Sequence, residues 1–266
     1  MSNQSEQVQP AKHRRGIYLL PNLFTTAALF GGFYAIVAAM SGRFTDAAIA
    51  VFIAMVLDGL DGRVARMTNT QSAFGAEYDS LSDMVSFGLA PALVMYQWSL
   101  VDLHTLGWFG GKASWLVAFF YAASAALRLA RFNTKIGVAD KRYFQGLPSP
   151  TAAAVMMGTV WVAPQFQLSG TTLMFPALVI TVLTGALMVS NVAYYSFKDF
   201  DLRKRVPFFA VLLVLGIFVL IALWPSIVLY SLFVTYTLSG PALSVWRRWR
   251  KRRRNRAGAE SRSEES

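Results

Sequence analysis

Four aspartates carry the clearest chemistry in this chain. Asp58 and Asp61 stand three residues apart and Asp79 and Asp83 four apart, so on helices each pair projects from adjacent turns of one face. Gly75 shares the face of Asp79 and Asp83. Five of the fourteen acidic residues fall between positions 58 and 83, in a stretch that interrupts an otherwise apolar sequence. Carboxylates gathered at low dielectric repel one another unless cations neutralise them, and the fixed cations nearby are Arg63 and Arg66. Divalent metal suits such an all-oxygen donor set, and two Mg²⁺ or Mn²⁺ ions about 3.5–4 Å apart form the usual clamp for phosphoryl transfer. Gly62, Ala65 and Gly75 leave room beside the acids for a bulky ligand or a second backbone.

The elements that position these acids belong to a membrane protein. The chain has 266 residues, 55% of them hydrophobic, and a mean hydropathy of +0.43, too apolar for an ordinary soluble domain. Eight apolar stretches of spanning or near-spanning length are expected, at 17–40, 44–66, 73–100, 114–133, 149–165, 172–194, 206–223 and 225–245. The fifth is short and bracketed by Pro148, Pro150 and Pro164, which permits a tilted or partly re-entrant helix. Basic residues concentrate after the second, fourth, sixth and eighth stretches, which by the positive-inside rule places both termini in the cytoplasm. The expected architecture is therefore all-α: a polytopic integral membrane helix bundle of about eight transmembrane helices in one domain, 17–246. Its core is 17–195, with two extra helices at 206–245. The second and third helices form a tight hairpin that brings the two acidic pairs to similar depth, roughly 10 Å inside the cytoplasmic boundary.

The run Asp58-x-x-Asp61-Gly62-x-x-Ala65-Arg66, then eight residues, then Gly75-x-x-x-Asp79-x-x-x-Asp83 resembles the complete signature of the CDP-alcohol phosphotransferases, membrane enzymes of phospholipid synthesis. Eight fixed residue types at fixed spacing make this a specific signal. The resemblance implies that Asp58, Asp61, Asp79 and Asp83 hold the two metals and that Asp83 is the general base. It also implies that Gly62 and Arg66 contact the diphosphate of the CDP-linked lipid and that Gly75 lies near the cytidine. Pro21-Asn22-x-x-Thr25 reads by itself as the capped start of a helix; its recurrence in that family makes Asn22 and Thr25 candidates for the same substrate.

Two further segments, Ala126 to Asn133 ending the fourth helix and Phe144 to Pro150 opening the fifth, are similar to those of the phosphatidylserine synthases of that family. The implied reaction is transfer of the phosphatidyl group of CDP-diacylglycerol to L-serine with release of CMP, and the serine-binding candidates are Arg128, Arg131, Asn133 and Gln145. Arginines three apart on a helix can grip a carboxylate, although a purely topological role for their charge is the alternative. Relatives using glycerol phosphate, inositol phosphate or choline share the aspartates, so these segments decide the acceptor.

Other classes fare worse. The chain has no cysteine, which removes disulfides and thiolate chemistry. His13 and His104 lie in a tail and a loop, and Ser80, Ser82 and Ser149 have no histidine partner for nucleophilic catalysis. A divalent-cation channel would spread its acids along the membrane depth rather than cluster them beside arginines. Nine of the twenty-five Lys and Arg residues follow position 246; directly after an apolar helix, they read as a cytoplasmic patch for anionic lipid headgroups rather than for nucleic acid. Residues 1–16 and 255–266 are polar and expected to be disordered. Dimerisation is common in the resembled family, and no homodimer seam is legible. A bacterial inner membrane with the site facing the cytoplasm is the expected setting.

Overall fold

A computed structural model describes residues 19–68, 70, 72–134, 143–195 and 208–264. Nine α-helices and one short β-ribbon are found among them: α1 Leu19–Met40, α2 Phe44–Met67, α3 Ala73–Asp83, α4 Ala90–Trp98, α5 Trp108–Thr134, β1 Tyr143–Gln145, α6 Ser149–Val162, α7 Met174–Val189, β2 Ala193–Tyr195, α8 Phe208–Leu223 and α9 Pro225–Glu264. Each of the eight apolar stretches contains a helix among its described residues, although 172–194 ends in β2. Three helices are long and apolar enough to cross a membrane, Pro21–Met40, Trp108–Thr134 and Pro225–Ser244, and the bent assembly Ala73–Leu106 makes a fourth.

Packing is inverted relative to a soluble bundle. Small residues fill the interior: Ala28, Ala35, Ala38 and Ala39 of α1 are buried, as are Ala47, Ala48, Ala50 and Ala54 of α2. A Cβ on Gly31 would meet the Ala50 carbonyl oxygen at 3.2 Å and the Ala54 Cβ at 3.1 Å, the close backbone approach by which apolar helices associate without a hydrophobic drive between them. Large side chains point outward instead, among them Phe30, Phe33, Ile53, Val56, Phe119 and Leu183. From Leu212 to Leu220 every side chain of α8 is exposed. A surface of this kind is stable only against lipid, and the protein is a membrane protein.

Helix α6 is the hub. Ser149 and all of Thr151 to Val160 are buried, and α2, α4, α7 and α9 pack around it. Two expectations change here. The stretch 73–100 is not one straight helix: a π-helical turn at Met84–Leu89 separates α3 from α4, and a 44° bend follows Trp98. Phe144 and Gln145 do not open the fifth helix but lie in β1, which pairs antiparallel with β2 through Tyr143↔Tyr195, Phe144↔Tyr194 and Gln145↔Ala193. Gly146, at φ +82°, makes the turn from this ribbon into α6; a Cβ there would collide with the Met188 carbonyl. The expected N-terminal tail and the basic residues Lys135, Lys141, Arg142, Lys198, Arg203, Lys204 and Arg205 lie outside the described residues. At the other end, α9 runs on as helix to Glu264 where residues from 255 were expected to be disordered. Arg, Lys, Ala and Glu propagate a helix readily once it is nucleated.

Candidate active site

The α2–α3 hairpin brings the acids together as their spacing requires. Carboxylate oxygens of Asp58, Asp61 and Asp79 all lie within 4.8 Å of one another, and Asp58 also contacts Asp83. Helix α3 is started by Ser72, whose Oγ accepts the Gly75 N–H at 3.0 Å, the usual side-chain cap for an orphaned amide. Two serines one helical turn apart then fasten this segment to α1. Ser82 Oγ donates to the Thr25 carbonyl at 3.1 Å and Ser86 Oγ to the Ala28 carbonyl at 3.0 Å.

Thr25 turns its own hydroxyl to the site, donating to Asp61 Oδ2 at 2.6 Å, and Asp61 is 5% exposed. Oδ1 of Asp79 and Oδ1 of Asp83 are buried without any hydrogen-bond partner. Buried carboxylate oxygens are rarely left unsatisfied, and three or four carboxylates converging this closely form a hard-oxygen donor set. The residues therefore fit a divalent cation.

Beside the acids opens a cavity of about 270 Å³ lined by Pro21, Asn22, Thr25, Asp61, Gly62, Ala65, Arg66, Thr70, Ser72, Gly75, Ala76 and Asp79. All five residues expected to bind the CDP-linked lipid, Asn22, Thr25, Gly62, Arg66 and Gly75, are on this wall. A Cβ on Gly62 would meet nothing within 4 Å, whereas one on Gly75 would touch Ser72 Oγ at 3.1 Å and Asn22 Oδ1 at 3.6 Å; Gly75 thus keeps the floor of the cavity open. Thr70, Ser72 and Ala76 were missed by sequence reasoning. Ser72 carried a signal, since it precedes a helix start.

Residues 18–189 match the family described as CDP-alcohol phosphatidyltransferase. The chain belongs to that family. A CDP-diacylglycerol–serine O-phosphatidyltransferase of Helicobacter pylori is 41% identical over 184 residues, 68% of this chain and 74% of the relative. The protein of the same name from Methanocaldococcus jannaschii is 34% identical over 63% of this chain and 71% of its own length, and that of Mycobacterium leprae 29% identical over 90% and 79%. In this member of the family, Asp83 faces a second polar region across the site.

That region contains the four serine-binding candidates, which the fold uses differently. Arg128, on α5, donates from Nη1 to Ser149 Oγ at 2.7 Å, while its Nε is buried with no partner. It lies close enough to Asp83 to interact with it electrostatically. Arg131 turns away to the ribbon: Nη2 donates to the Gln145 carbonyl at 2.7 Å and the Ser190 carbonyl at 3.3 Å, and Nη1 to the Val189 carbonyl at 3.2 Å and Asn191 Oδ1 at 3.3 Å. Asn133 Nδ2 donates to Ser80 Oγ at 3.0 Å, tying the end of α5 to α3 beside Asp79. Gln145, exposed on β1, gives its carbonyl to Arg131. Ser149 was not expected here; its place at the first turn of α6, within Gly146-Leu147-Pro148-Ser149-Pro150, was the available clue.

Proposed function

We propose that the protein transfers the phosphatidyl group of CDP-diacylglycerol to the hydroxyl of L-serine, giving phosphatidylserine and CMP. One observation carries the reading. A carboxylate cluster with unsatisfied oxygens lies between a cavity lined by Asn22, Thr25, Gly62, Arg66 and Gly75 and a buried arginine with an unused donor, Arg128. That is the order of groups a diphosphate, a reacting phosphorus and an amino-acid carboxylate would need.

On this reading Asp58, Asp61, Asp79 and Asp83 hold two divalent cations, Mg²⁺ or Mn²⁺. When bound, such ions neutralise the diphosphate and the charge that develops on departing CMP. The protein's own groups do the rest. Arg66 and the open backbone at Gly62 hold the diphosphate, and Asn22 and Gly75 shape the space for the nucleoside. Thr25 fixes the orientation of Asp61. Asp83 takes the proton of the serine hydroxyl as that oxygen attacks the lipid-linked phosphorus, and the bond to CMP breaks. Arg128 draws the serine carboxylate to the side of Asp83, which places the hydroxyl for attack.

We place this chemistry at headgroup depth on the cytoplasmic side of an inner membrane, in one domain of eight spans with both ends cytoplasmic. The asymmetry of Lys and Arg between loops supports this. The basic residues after position 246 then lie against anionic lipid.

CMP release by purified protein in detergent, with CDP-diacylglycerol and Mg²⁺ or Mn²⁺, tests the function. Release that needs both L-serine and the metal is expected. Equal or faster release with glycerol phosphate, inositol phosphate or choline would remove serine as the acceptor while leaving the metal site in place.

A further inference from the structure

The helix that carries Asp79 and Asp83 widens immediately after the second of them. The π-helical turn Met84–Leu89 begins at the next residue, and at its far end the Ala90 N–H reaches back to the Val85 carbonyl instead of that of Ser86. Pro91 accounts for the widening. In a regular helix the Phe87 carbonyl would accept the N–H of residue 91, but Pro91 has no N–H and its ring would strike that same carbonyl. A widened turn relieves the clash. Pro91 also deprives the Phe87 carbonyl of its helical donor inside the bundle, where an unsatisfied carbonyl is costly.

Tyr121 supplies a donor in its place. From α5 its hydroxyl donates to the Phe87 carbonyl at 3.0 Å, and both residues are fully buried. One turn further along α5, Ala125 packs on the same widened segment: a Cβ on Gly88 would meet the Ala125 Cβ at 3.3 Å and the Met84 Sδ at 3.0 Å. On the opposite flank Ser86 is fastened to α1. The turn is therefore gripped from two sides. One extra residue in a turn rotates the helix before it by about 100° relative to the helix after it. Because α4 is packed in the core, that rotation sets the direction in which Asp83 presents its carboxylate.

We propose that Tyr121 is a positioning residue for Asp83: by bonding the carbonyl that Pro91 leaves without its helical donor, it holds the widened turn that aims the Asp83 carboxylate into the site. The inference rests on the reading of Asp83 as the general base. Neither Tyr121 nor Pro91 lines the cavity, and their effect on the reaction passes through the backbone of the turn.

The test is a double-mutant cycle on CMP release by the full-length protein in detergent, with CDP-diacylglycerol, L-serine and Mg²⁺: wild type, Tyr121→Phe, Asp83→Asn and the double variant. Phenylalanine keeps the ring, and an unchanged gel-filtration profile and helical circular dichroism check the fold. Tyr121→Phe should lower kcat about tenfold with both KM values unchanged. In the Asp83→Asn background it should cause no further loss, because displacing the base matters only where a base is present. Pro91→Ala reaches the same turn from the other side, returning the helical N–H and removing the ring in a chain that favours regular helix more strongly. It should give the same fall in kcat and the same dependence on Asp83, and it carries the cycle alone if Tyr121→Phe fails the fold check. An undiminished kcat in either folded variant, a rise in KM for serine in place of the fall in kcat, or equal losses with and without Asp83 would overturn the positioning role while leaving Asp83 as the base. Near-normal turnover of Asp83→Asn by itself would overturn the base assignment and this inference together.

Discussion

On the α2–α3 side of the site, side chains face space: Asp79 and Asp83 each keep a buried oxygen that no protein group satisfies, and the cavity beside them is open at Gly62. On the α5 side, side chains face protein. Arg131 spends its donors on three carbonyls and an amide, and Asn133 on a serine. The contrast separates groups that await a ligand from groups of the same type that hold the scaffold. Two arginines one turn apart on α5, Arg128 and Arg131, fall on opposite sides of that line, although nothing in their types or spacing distinguishes them.

Substitutions can break or sharpen this division. The largest effect is expected at Asp83. Asp83→Asn should fold normally and lower CMP release about 10³-fold, the middle of the range for loss of a general base; near-normal turnover would show that the proton goes elsewhere. Arg128→Met should come next, raising KM for serine by about 100-fold through loss of a charge-assisted contact, with little change in thermal midpoint. Its neighbour should do the reverse. Arg131→Met is expected to cost about 2 kcal/mol of stability, read as a lower thermal midpoint in detergent, while the folded fraction keeps its serine KM. If the two arginines behave alike, the division fails. The smallest effect is expected at Thr25→Val, about tenfold in kcat/KM from freeing Asp61, with Thr25→Ser restoring most of it.

The two sides also differed in how much the sequence disclosed. Carboxylate pairs on a helical hairpin are local: Asp58 and Asp79 are positioned by a turn only a few residues long, so periodicity alone brings them together. Three of the five cavity residues, Gly62, Arg66 and Gly75, followed from the same motif, and Asn22 and Thr25 from the separate run that opens the first helix. The partners of Arg131 lie up to 60 residues away, at the end of α7 and in the two residues after it, with one on β1, a strand of three residues too short to show any alternation. The π-helical turn was hidden for a different reason. A helical run from 73 to 100 reads the same in sequence whether the helix beneath it is regular or widened at Met84–Leu89.

The two serine bonds to α1 have a consequence for traffic. CDP-diacylglycerol and its product move in the plane of the bilayer and must enter and leave the catalytic chamber sideways. An acyl chain cannot slip through a seam stitched at hydrogen-bond distance, where even a methyl on Gly32 would strike Ser86. Between Ser82 and Ser86 the seam with α1 is therefore closed to an acyl chain.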